Sequence, residues 1–174
     1  AVLVLHLGAE ITGRTGLTAR LAWAGGPLAA MTAVYTAYLF AQAKARDLWQ
    51  NPLLPPHLLV QCLMAGAGVL SLLAPVWDSG STGMLRVFFA ASASVHLLMT
   101  AGEITLPHVS EHARLAVFEM TRGRFSRWFW AGTILTVAGV FAPWTGGSVV
   151  VLGLVGLAAH EHAYVQAGQA VPLA

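Results

Sequence analysis

Four side chains in one apolar stretch have the types and spacing to move protons. Ser92, His96, Thr100 and Glu103 recur at helical intervals and share one face of the helix expected over 84–104. Glu103 falls about 10 Å from His96 at 1.5 Å rise per residue. A column of hydroxyl, imidazole, hydroxyl and carboxyl groups suits a proton relay, because each member can accept and donate. Ionisable groups within a membrane span are functional candidates by default. The competing reading is a helix whose polar groups pair with its neighbours, with Glu103 reaching the interface.

A second stripe runs along an earlier apolar segment. Met31, Tyr35, Tyr38, Gln42 and Arg46 fall on one helical face, and Lys44 points the opposite way. Polar groups are costly against hydrocarbon and tend to face a bundle interior or a cavity. Tyrosines also belt helices at the membrane interface without further role.

The remaining histidines are less informative. His160 and Tyr164 share a face near the end of the last apolar run, where Glu161 and His162 point elsewhere, and this group is expected at the interface. His108 and His112 are four apart with Glu111 between them, a spacing that could chelate a metal. They lack third and fourth ligands, so a solvated face is expected and no metal site is assigned. A haem b held by histidines from two spans is hard to assemble. His96 is well placed in depth, but His57 opens its helix and His160 and His162 sit at a span end. The single cysteine, Cys62, excludes a disulfide or a thiolate iron–sulfur site within the chain.

These residues need apolar helices to hold them, and the composition supplies little else. The chain of 174 residues is 57% hydrophobic and 9% charged, with a mean hydropathy of +0.70. Soluble domains carry about 25% charged residues, so the fold class is an all-α integral membrane protein, a polytopic transmembrane helix bundle forming a single domain over 1–174. Complete spans are expected at 21–43, 57–77, 84–104, 129–143 and 148–165, with residues 1–7 as the tail of a partial one. Gly25, Gly26 and Pro27 are expected to kink the first complete span or delay its start. Gly66 and Gly68 offer close packing. Residues 105–121 are too polar to span and are expected to include an interfacial helix.

Sidedness follows from the basic residues. Lys44, Arg46, Arg114, Arg122, Arg124 and Arg127 lie on one side by alternation, with only Arg14, Arg20 and Arg86 on the other. The richer side is expected in the cytoplasm, together with the C-terminus. Trp23, Trp49, Trp77, Trp128, Trp130 and Trp144 fall near span ends, as an aromatic belt would. A net charge of +2 gives no nucleic-acid footprint.

The stretch 35–56 resembles the polysulfide-reductase membrane-subunit family (NrfD/PsrC type). Members carry a Tyr-Thr-Gly-like helix end followed by an Arg-x-Leu-Trp-x-x-Pro-Leu-Leu-Pro run. The matching residues are Tyr35, Thr36, Arg46, Leu48, Trp49, Pro52, Leu53, Leu54 and Pro55, with Ala37 where glycine is frequent. Segments 102–130 and 161–174 also resemble the family's C-terminal half, and the likeness is weakest before Arg20. The resemblance implies a piece of an eight-span fold of two four-helix bundles in a bacterial or archaeal inner membrane. It implies a quinone (menaquinone or ubiquinone) as redox partner, and no haem or iron–sulfur cluster in this chain. Its expected partners are a ferredoxin-like iron–sulfur subunit and a molybdopterin catalytic subunit. Tyr35, Tyr38, Gln42 and Arg46 would then edge a quinone pocket, where a phenol donates to the quinone oxygen. A transporter and a haem b anchor are the alternatives.

Overall fold

The computed structural model describes residues 2–108 and 110–172, apart from the Trp77 side chain, so the belt role expected of Trp77 lies outside the described residues. The described residues form α1 (Val2–Ile11), α2 (Thr15–Ala41), α3 (Leu54–Trp77), α4 (Thr82–Thr105), α5 (Glu111–Thr121), α6 (Ser126–Val140), α7 (Ala142–Thr145) and α8 (Gly147–Ala170), with no strand among them. An all-helical answer is the expected one, because backbone groups in hydrocarbon must bond within their own segment. Three stretches are long and apolar enough to cross a membrane: Leu54–Val76, Ser79–Thr105 and Gly147–Ala170.

The helix ends differ instructively from the expected ones. α2 starts at Thr15 and runs without a break through Gly25, Gly26 and Pro27. Pro27 forfeits one internal bond, and the turns on either side carry the helix past it. α3 starts at Leu54, three residues before His57, because Pro55 and Pro56 occupy first-turn positions whose N–H groups have no internal partner anyway. α8 continues to Ala170, five residues beyond the expected span. Both extensions move histidines inward from helix ends. α5 is a separate short helix, started by Ser110, whose hydroxyl accepts from the Ala113 N–H.

α6 and α8 are the most closely packed pair. A side chain at Gly132 would meet the Gly156 carbonyl oxygen at 2.8 Å, and one at Gly156 would meet the Thr136 backbone nitrogen at 2.7 Å. Gly139 and Gly153 form a second such contact around the Phe89 ring. Small residues let membrane helices approach until backbones touch. Of the two glycines expected to pack on α3, Gly68 does so against Phe89 and Leu154, whereas Gly66 faces open space.

Buried apolar side chains lie in two clusters. One, around Trp49, Leu54, Met120, Phe129 and Tyr164, sits under the loop that joins α2 to α3. The other, around Met64, Phe89, Ala93, Val150 and Leu157, fills the opposite end. α1 and α2 flank this body and bury only Ala9 and Ala37 between them, leaving Leu3, Val4, Trp23 and Met31 exposed.

The loop over the first cluster is pinned to the end of α8. Arg46 donates to the carbonyl oxygens of Gly168 (3.0 Å), Gln169 (2.8 Å) and Val171 (2.8 Å). Those carbonyls are among the groups that a helix C-terminus leaves unpaired. The Tyr164 hydroxyl donates to the Leu48 carbonyl oxygen at 2.9 Å. Asp47 accepts from the Ser110 hydroxyl, tying the loop to the start of α5. Trp49 is therefore a core residue and not part of an interfacial belt: it is 7% exposed, with its ring lying over Gly168.

Candidate functional site

Between the two apolar clusters, α3, α4 and α8 each contribute one fully buried histidine: His57, His96 and His160, none more than 2% exposed. The His57 Nδ1–H donates to Glu103 Oε1 at 2.8 Å, which leaves His57 Nε2 to accept from His96 Nδ1 at 2.7 Å. The His96 and His160 rings meet edge to face with centroids 4.7 Å apart, and the His57 ring is 5.8 Å from His160. Glu103 is 3% exposed.

Each element delivers its residue for a local reason. Helical side chains lean toward the N-terminus, so Glu103, in the last turn of α4, reaches back along the helix. The His57 ring fills the two turns that separate Glu103 from His96. His57 lies in the first turn of α3, yet it is buried because the loop with Leu48 and Trp49 closes over that end. His160 faces inward from α8 where the glycine contacts hold α6 close, and Phe129 on α6 backs its ring at 5.8 Å.

The four residues expected to form a column on α4 have different fates. His96 and Glu103 are joined, but through His57 on the neighbouring helix. Thr100 is buried and its hydroxyl has no partner, and Ser92 is half-buried. Glu103 Oε2 and His160 Nε2 are also buried without partners. On α8, Glu161 is half-buried and faces Gln61 of α3, while His162 lies against the Trp128 ring at 4.9 Å.

Glu103 also lines a cavity of about 470 Å³ at the loop end of the bundle. Asp47, Asn51, His108 and Ser110 share its wall. Glu103 is in the wall of that cavity with its side chain 1% exposed, so the buried chain of bonds ends just beneath it. An imidazole bonded at both nitrogens can take up a proton at one and release it at the other, so cavity, Glu103, His57 and His96 form a line along which a proton can step.

The tyrosine stripe is placed otherwise. Tyr35 and Tyr38 are 58% and 61% exposed, and Gln42 is exposed as well. Arg46 turns away from them to cap α8. Sequence spacing did not single out His57 or His160 as members of one site. Their signal is lateral, a matter of which helix faces meet. The expected His108–His112 pair also takes no part in the one three-ligand cluster among the described residues, which is His57, His96 and His160. That cluster does not fit a haem. Axial nitrogens lie on opposite faces of a macrocycle, whereas His57 and His96 bond directly to each other.

Long apolar helices around a buried ionisable cluster define a polytopic helical membrane protein. The chain belongs to the NrfD family: the model of that family, described as polysulphide reductase, NrfD, matches residues 7–171. The match takes in the segment before Arg20, where the resemblance of motifs is weakest. Neither the curated proteins nor the solved structures gave a match.

Proposed function

We propose that the chain is a quinone-interacting membrane subunit of a multi-subunit respiratory oxidoreductase, and that Glu103, His57 and His96 are its proton-conducting line. It passes electrons between the quinone pool and a ferredoxin-like iron–sulfur subunit that serves a molybdopterin catalytic subunit. It works in a bacterial or archaeal cell membrane, crossing it several times, with the 42–53 loop and the C-terminus in the cytoplasm. Membership of the NrfD family supports the quinone-linked role. The observation that carries the proton line is the pair of buried bonds from Glu103 through His57 to His96, with Glu103 on the cavity wall.

Protons enter from the cavity at Glu103, pass through the two nitrogens of His57, and reach His96. His160 stands beside His96 as the next imidazole, and Thr100 and Ser92 flank the path on α4. Tyr35, Tyr38 and Gln42 meet the quinone on the exposed face of α2. There a phenol donates to the oxygen that gains negative charge on reduction. Arg46 supports that region by holding the loop on α8.

The test is proton movement coupled to quinone turnover in the purified complex reconstituted into vesicles. Glu103→Gln and His96→Leu should abolish it while electron transfer to a soluble dye continues. Wild-type proton movement in both variants would remove the line.

A further inference from the structure

We propose that His57, His96 and His160 form a binding site for a divalent transition-metal ion of the zinc class. One ligand atom from each residue lies within 4.8 Å of the other two, and all three side chains are buried. The three come from three different helices, so the bundle itself holds the set together. Two features beyond proximity point to an ion. Glu103 accepts from His57 Nδ1, the carboxylate–imidazole pairing that fixes the tautomer of a metal-bound histidine and aims its other nitrogen at the ion. His160 Nε2, in a residue 1% exposed, has no hydrogen-bond partner, and such atoms are rare in folded proteins.

The chemistry of the donors selects the ion. Three neutral imidazoles with no thiolate nearby suit zinc and its borderline neighbours over softer or harder metals. Zinc–nitrogen bonds of about 2.0–2.1 Å in a tetrahedral site put ligand nitrogens about 3.3 Å apart. His57 and His96, now 2.7 Å apart, have only to open slightly, and His160 to close in. Opening that bond frees the lone pair on His57 Nε2, and His96 ligates through Nδ1 once its proton has moved to Nε2. Water completes the shell. The Glu103 carboxylate offsets part of the ion's charge, which would otherwise be costly at this depth. The cavity that Glu103 lines is the way in. An ion held by His57 Nε2 and His96 would interrupt the proton step between them, so the metal-loaded and proton-conducting forms are alternatives. Metal content, read without turnover, tests the site separately from the line.

The experiment uses the whole purified complex, stripped with a chelator and then equilibrated with Zn²⁺ or Co²⁺. Wild type and His162→Gln should retain one more zinc per complex than His160→Gln, by elemental analysis after desalting. Glu103→Gln keeps all three imidazoles and should weaken zinc binding tenfold or more, the usual effect of losing such a supporting carboxylate. If His160→Gln fails to assemble, the cobalt-loaded wild type decides, because a tetrahedral histidine site gives intense visible absorption. Equal zinc in wild type and His160→Gln, or a cobalt complex without that absorption, would overturn the proposal.

Discussion

On α4, His96, Thr100 and Glu103 are all but sealed from solvent; along α2 and its C-cap, Tyr35, Tyr38 and Gln42 recur just as regularly and are largely exposed. Polar residues at helical spacing in an apolar segment are the mark of both stripes. The surroundings make the difference. α4 lies against α3, α6 and α8, so its polar face meets other helices and finds His57 there. α2 lies against α1 and α3, packs Phe40 against Trp49, and turns the tyrosines outward. A polar stripe thus identifies a helix that must place polar groups somewhere, while the number of neighbouring helices decides whether they become a buried network or an exposed contact face.

The sharpest way to break this contrast is to pry apart the packed side. Gly156→Val puts a branched side chain against the Thr136 backbone, and overpacking of this kind costs about 3 kcal/mol. The protein should fall to a small fraction of its wild-type abundance in membranes, by immunoblot, and normal abundance would mean that α6 and α8 can separate cheaply. His57→Leu comes next. It strips a partner from both Glu103 and His96, at about 1–3 kcal/mol for buried polar groups left unmade, and should lower the melting temperature of the detergent-solubilised complex by several degrees. Arg46→Ala removes a charged donor from three carbonyls and should cost about 2 kcal/mol. Faster cleavage of the 42–53 loop by added protease would reveal the loss, and an unchanged rate would show that the cap is not what holds the loop.

The smallest effect on stability belongs to the exposed stripe. Tyr35→Phe and Tyr38→Phe should shift stability by less than about 0.5 kcal/mol, as exposed substitutions usually do. On the proposed function they nonetheless lower quinone-dependent turnover about tenfold, the cost of one hydrogen bond to a charge-developing oxygen. Dye reduction, which bypasses this subunit, should not change. Unaltered quinone turnover in both variants would leave the stripe as packing surface.

The sequence was informative about helices taken singly and much less so about their meetings. Apolar runs placed α3, α4 and α8, and motif resemblance in the 35–56 segment anticipated the family. The faces of α4 were legible because their periodicity lies within one helix. His57 was not, since it was read as a helix opening, and only the folded loop shows that this opening is covered. His160 was read as interfacial because the expected span stopped at 165, five residues short of where α8 ends. Trp49 looked like a belt residue because tryptophan near a span end usually is. Its burial depends on Gly168, more than a hundred residues away.

That distance matters for how the protein is made. Arg46 leaves the ribosome some 120 residues ahead of the carbonyls it will cap. Until α8 has been synthesised and inserted, the loop has no anchor, Trp49 has no glycine to lie on, and His96 has no third imidazole beside it. The site therefore cannot assemble before α8 is in place. An insertion defect in α8 would leave the buried centre without its third histidine and the 42–53 loop without its anchor.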